Sequence, residues 1–262
     1  MTIVEPLVRV LQLGHRFAGS RADAAWALHE VSFELHAGEV MAVVGESGSG
    51  KSTLLNLIAG RLRPLEGQVF FRSDSGWIDV HTVPERQRRQ LARTEWGFVE
   101  QSSADALRLD VSAGANIVER LMGQGCRHYG DLRRNANDWM QRVELELQRI
   151  DDTPRTFSGG MRQRVQIARN LVTEPRLLLM DEPTSGLDVS VQARLLDLLR
   201  ALTRRMHVAA LVVTHDLGVA RLLAARTLVM RAGRVVESGL TDRVFDDPHH
   251  PYTQLLVSSV LA

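Results

Sequence analysis

Gly45-Glu46-Ser47-Gly48-Ser49-Gly50-Lys51-Ser52 reads as G-x-x-x-x-G-K-S. The apolar run 40–44 precedes it, and Thr53, Leu54, Leu55, Asn56, Leu57, Ile58 and Ala59 follow with helical character. A glycine-rich loop between a strand and a helix is the context in which this pattern cradles phosphate. Backbone N–H groups freed by the glycines can converge on an anion, and the helix N-terminus adds its positive dipole end. Lys51 brings a mobile charge for the outer phosphates, and Ser52 a hydroxyl for Mg²⁺. Lys51 is also the sole lysine among 32 Lys plus Arg. A planar guanidinium does not fill the place of a compact ammonium among phosphates, so the exception has a chemical reason.

Working outward, three apolar runs end in polar residues at their carboxyl ends. Residues 40–44 run into the phosphate loop, 177–180 into Asp181-Glu182, and 208–213 into Thr214-His215. The runs do not alternate, which suits strands buried on both faces of a parallel sheet. Parallel strands deliver such ends to one edge, where α/β folds bind ligands. Hydrolysis of a nucleoside triphosphate needs Mg²⁺ against the β- and γ-phosphates and a water aligned for attack. Asp181 suits the metal shell, directly or through water, and Glu182 suits the general base. His215 can hydrogen-bond the γ-phosphate or the attacking water.

The rest of the pattern predicts antiparallel strands around 7–10 and 30–35, parted by the small polar stretch 18–23, and a second pair at 67–72 and 77–80. A charged helix is expected over 84–93, its basic run a solvated face. A short strand at 96–99 leads into Glu100-Gln101. Residues 102–157 read as mostly helical, with Ile117, Leu121, Leu132, Trp139, Val143 and Leu147 as apolar anchors. After Gly159-Gly160, Met161, Val165, Ala168 and Val172 share one helical face. A final hairpin is expected at 227–230 and 234–237.

Composition narrows the classes. The chain of 262 residues is 44% hydrophobic and 24% charged, ordinary for a globular protein. A net charge of +1 gives no pull toward nucleic acid, so no nucleic-acid partner is expected. One cysteine, Cys126, excludes an internal disulfide. The N-terminal residues show no signal peptide, and no apolar run approaches the roughly 20 residues that span a bilayer. These features predict a cytoplasmic protein, peripheral to the inner membrane only if it serves a permease.

The whole set resembles an ATP-binding-cassette (ABC) ATPase. Phe157-Ser158-Gly159-Gly160-Met161 is similar to the family's signature, more commonly L-S-G-G-Q; Ser185-Gly186-Leu187-Asp188 resembles the D-loop, and His215 the switch histidine. Gln101 falls where the Q-loop glutamine is expected. The resemblance implies an α/β P-loop NTPase core with an antiparallel β subdomain, built from 7–101 and 158–262, and a helical subdomain inserted at 102–157. It implies ATP and Mg²⁺ as cofactors, with Ser52, Gln101 and Asp181 near the metal, and Lys51, Gln101, Glu182 and His215 acting in hydrolysis. It implies that Phe17 stacks on adenine, where tyrosine is commoner. It also implies a homodimer, in which Ser158, Gly159, Gly160 and Asp188 face the nucleotide held by the opposite protomer's loop. A helix that opens at Ser158-Gly159-Gly160 has an anion site at its N-terminus and no phosphate of its own, which fits that arrangement.

Two branches compete. The tail Asp246-Asp247-Pro248-His249-His250-Pro251-Tyr252-Thr253 resembles importers of oligopeptides and nickel, whose partner is a membrane permease. The stretches 93–97, 127–131, 149–152, 217–223 and 237–243 resemble the ATP-binding proteins of the carbon–phosphorus lyase system in phosphonate breakdown. That branch implies soluble lyase core subunits as partners, with a second ABC ATPase as a further candidate.

Overall fold

The computed structural model describes residues 5–17 and 26–261. The small polar stretch read at 18–23 lies outside the described residues. In chain order the elements are β1 (Pro6–His15), β2 (Leu28–His36), β3 (Val40–Val44), α1 (Lys51–Ile58), β4 (Glu66–Ser73), β5 (Gly76–Asp79), α2 (Glu85–Thr94) and β6 (Trp96–Val99). There follow α3 (Ser103–Ala106), α4 (Ala113–Gly123), α5 (Tyr129–Arg142), α6 (Gly159–Leu171), β7 (Leu177–Asp181), α7 (Val189–Met206) and β8 (Ala209–Thr214). The chain closes with α8 (Leu217–Leu223), β9 (Arg226–Arg231), β10 (Arg234–Leu240), α9 (Thr241–Asp246) and α10 (Pro251–Leu261).

Two sheets organise the molecule. One is antiparallel, in the order β2-β1-β4-β5; the other runs β10-β9-β3-β8-β7-β6 and is parallel apart from the β9–β10 hairpin. The carboxyl ends of β3, β6, β7 and β8 therefore share one edge. Side chains along a strand alternate between faces, and both faces here are covered. Leu178, Met180, Ala210 and Val212 join a core with α4–α7, whereas Leu177, Leu179, Leu211 and Val213 join one with α1 and the antiparallel sheet. Two buried faces are the physical reason these runs are apolar without a gap. Ala42 and Val44 of β3 pack with α8, α9 and Tyr252 of α10 in a third cluster.

Two features differ from the sequence reading. β1 continues past Val10 because Gln12, at φ 48°, makes a bulge that breaks the alternation; pairing resumes at Leu13 and ends at His15. Leu147 is not a core anchor. Glu144 at φ 55° ends α5, the chain turns, Leu145 takes the buried position, and Leu147 is left exposed in a 3₁₀ turn at 147–149. Residues 107–157 have no separate core: Leu107, Ile117, Trp139 and Met140 belong to the same cluster as Val165 and Leu195.

Candidate functional site: a phosphate loop at the sheet edge

The loop after β3 closes on itself around Lys51. Its Nζ donates to the carbonyls of Gly45 and Glu46, both at 2.8 Å, and lies 3.5 Å from Ser49 Oγ. Glycine is required at two positions by close approach and by φ. A Cβ on Gly45 (φ 152°) would stand 2.2 Å from the Met230 carbonyl, and one on Gly50 (φ 101°) 2.3 Å from that of Ala27. The loop is thus seated on the β9–β10 hairpin and on the chain entering β2. Gly50 caps α1, whose first residue is Lys51. Burial pushes the Lys51 ammonium pKa down, with Glu182, Asp181 and Glu46 opposing the shift.

Strand β7 brings Asp181 to the same edge, where its Oδ1 accepts from Ser52 Oγ at 3.0 Å. Burial raises the Asp181 pKa; the Ser52 hydrogen bond lowers it, and Glu182 and Glu100 raise it further. Glu182, at φ 46°, donates its backbone N–H to Val213 of β8 at 2.8 Å, which turns its side chain toward the end of β8. His215 Nδ1 lies 2.9 Å from Oε1 and 2.8 Å from Oε2 of that carboxylate.

These groups open on one cleft of about 730 Å³. Gly45, Glu46, Ser47, Gly48, Gly50, Lys51, Ser52 and Thr53 line it with Phe17, Gln101, Glu182 and His215. Ser49 is buried behind the loop and Asp181 lies under Ser52. Phe17 is 54% exposed at the mouth, its ring edge-on to His15. Ala27 and Leu256 complete the wall.

Ser158, Gly159, Gly160 and Asp188 do not line that cleft. Ser158 caps α6, its Oγ accepting from Met161 N–H at 3.3 Å, and a Cβ on Gly160 would stand 2.4 Å from Val191 Cγ1. Asp188 caps α7 by accepting from Val191 N–H at 2.9 Å, and this bond, then that from Ser190, holds its carboxyl pKa down. These residues therefore form a second polar surface around the starts of α6 and α7. The tail wall was missed in the sequence: Tyr252 Oη accepts the Glu46 N–H at 3.1 Å across 206 residues, a separation no local pattern reports.

A larger hollow of about 970 Å³ lies elsewhere, against α2 and the start of β7. Arg89 pairs with Glu85 there and Arg176 with Asp74, and the hollow gathers no carboxylates around a phosphate loop. Volume alone does not mark the chemistry. Among the described residues no group of three or more His, Cys, Asp or Glu could hold a metal, and His250 Nδ1 instead accepts the Tyr252 N–H in the turn before α10. An Mg²⁺ shared with phosphates needs only one or two carboxylates, and the Ser52–Asp181 oxygen pair fits that demand.

Comparison with known proteins agrees with this geometry. Residues 28–185 match the ABC transporter family model, and residues 236–262 match the C-terminal region of oligopeptide/dipeptide transporters. The chain is 60% identical to the phosphonates utilization ATP-binding protein PhnK of Escherichia coli (strain K12), over 98% of each chain. It is 36% identical to a peptide import ATP-binding protein of Brucella abortus (strain 2308), over 99% of this chain and 80% of that one. Among solved structures, a dimeric post-hydrolysis state of the ATP-binding cassette MJ0796 bound to ADP and Pi superposes with a TM-score of 0.79 at 30% identity, covering 89% of this chain and 98% of that one. CbiO1 from Clostridium perfringens, part of the ABC transporter complex cbiONQ, gives 0.80 at 27%, covering 92% and 91%.

Proposed function

This chain belongs to the ABC transporter family and is an ATP-hydrolysing subunit of that type, and from that premise we propose that it powers phosphonate utilisation as a homodimer acting on a carbon–phosphorus lyase complex. The observation that carries this reading is the 60% identity to PhnK along nearly the whole of both chains, against 36% for the peptide importer. The dimeric cassettes among the structural neighbours support the two-fold assembly.

In this reading Lys51 leaves the loop carbonyls for the β- and γ-phosphates when ATP enters, and the loop N–H groups take the remaining charge. Ser52 and Asp181 would hold Mg²⁺, with Gln101 lining the same cleft, and the bound ion would supply positive charge to the phosphates undergoing transfer. Glu182 accepts the proton of the attacking water, and His215, already against the Glu182 carboxylate, orients that carboxylate and the water. Phe17 offers its exposed ring to the base. Ser158, Gly159, Gly160 and Asp188 close the site of the opposite protomer. Dimer closure then changes the distance between docking surfaces on the two protomers.

The C-terminal match at 236–262 favours a second reading, the ATP-binding subunit of a peptide importer. No helix among the described residues is long and apolar enough to cross a membrane, so in that case separate permease subunits would carry the passage. Affinity purification of the chain from cells grown on a phosphonate as sole phosphorus source separates the two. Recovery of soluble lyase subunits is expected; integral membrane proteins in their place would overturn the lyase reading.

A further inference from the structure

One peptide unit of the phosphate loop is held from both sides. The Gly45 carbonyl accepts from Lys51 Nζ at 2.8 Å, and the Glu46 N–H of the same peptide donates to Tyr252 Oη at 3.1 Å. A trans peptide points its C=O and N–H in opposite directions. With the N–H tied outward to α10, the carbonyl faces inward to the lysine. Gly45 allows this peptide more rotation than any other residue would, so its orientation depends on its partners.

Tyr252 is itself fixed. It is buried in the cluster with Val44, Leu217 and Phe245, and the Arg231 guanidinium stands 4.9 Å over its ring. Its N–H donates to His250 Nδ1 at 3.1 Å. The Glu237 carboxylate of β10 accepts the N–H groups of His249 and His250 at 2.9 and 3.0 Å. A continuous set of contacts thus runs from β10 through the turn at 247–250 to the phosphate loop.

We propose that Tyr252 is a positioning residue for ATP binding, its hydroxyl fixing the Gly45–Glu46 peptide so that Lys51 is held at the mouth of the phosphate cradle. Without the hydroxyl the peptide gains freedom that nucleotide binding must remove. The role is independent of which partner the subunit serves.

Tyr252→Phe keeps the buried ring and removes only the acceptor. Steady-state hydrolysis should show KM for ATP raised about fivefold, the effect of one neutral hydrogen bond, with kcat at saturating ATP unchanged. Val257→Ala trims packing on the same helix without touching the loop; it should lower the melting temperature and leave KM as in the wild type. An unchanged KM in Tyr252→Phe would overturn the proposal. So would an equal rise in Val257→Ala, which would reduce the effect to packing, or a loss confined to kcat.

Discussion

Asp181 stands where its charge is unwelcome in the nucleotide-free chain. Burial is the chief cause of its raised pKa, and the nearby Glu182 and Glu100 charges add to it. A carboxyl whose pKa is higher folded than unfolded binds its proton more tightly in the folded chain. Its contribution to stability therefore falls as pH rises through the folded value, and at neutral pH the charged form is a cost. Asp181→Asn should stabilise the nucleotide-free chain by about 1 kcal/mol, or about 2–4 °C in melting temperature, while cutting hydrolysis about a hundredfold. Thermal melts at pH 7 check the sign, and the gain should shrink as pH falls toward the ordinary carboxylate range. A lower melting temperature at pH 7 would show that the carboxylate is structural.

At the scale of elements, Arg120 ties α4 to the core. Its guanidinium donates to the carbonyls of Ala92 at 2.8 Å and Arg93 at 3.2 Å, to that of Trp96, and to Asn170 Oδ1 at 3.1 Å. It caps the last turn of α2 and fixes the start of β6, the strand that delivers Gln101. Burial, reinforced by Arg169 and opposed by Glu119, lowers its pKa to about 10, so it stays charged at neutral pH. Arg120→Ala should cost about 3 kcal/mol in urea unfolding, with Arg120→Lys restoring only part because one ammonium cannot span four acceptors. A change inside the ordinary surface range of about 0.5 kcal/mol would refute the tie. Such ties were not legible in the sequence, where Arg120 is one arginine among many. The central strands were legible because burial on both faces leaves an unbroken apolar run. Leu147 and the far half of β1 were not, since positive-φ residues at Glu144 and Gln12 shift the pattern without a glycine to announce it.

At the scale of the molecule, the loop cleft and the surface around Ser158 and Asp188 belong to one chain but do not meet within it. In the proposed dimer each cleft is closed by the other protomer. Mixing a Lys51→Ala chain with a Ser158→Arg chain should therefore recover ATPase activity that neither has alone, because half of each mixed dimer keeps an intact loop opposite an intact signature. Activity no greater than the sum of the separate chains would refute the shared site. The phosphate-loop pattern was legible because its spacing is local; the meeting of two surfaces is a property of symmetry that no single chain encodes by spacing. Lys51 carries one more consequence. It is the only lysine and it is buried, so a lysine-specific protease has a single side chain to recognise, and the bond it cuts, Lys51–Ser52, lies where the phosphate loop enters α1. Cleavage into 1–51 and 52–262, or acylation of that one ε-amine, becomes a clock for how often the loop opens, and ATP should slow it.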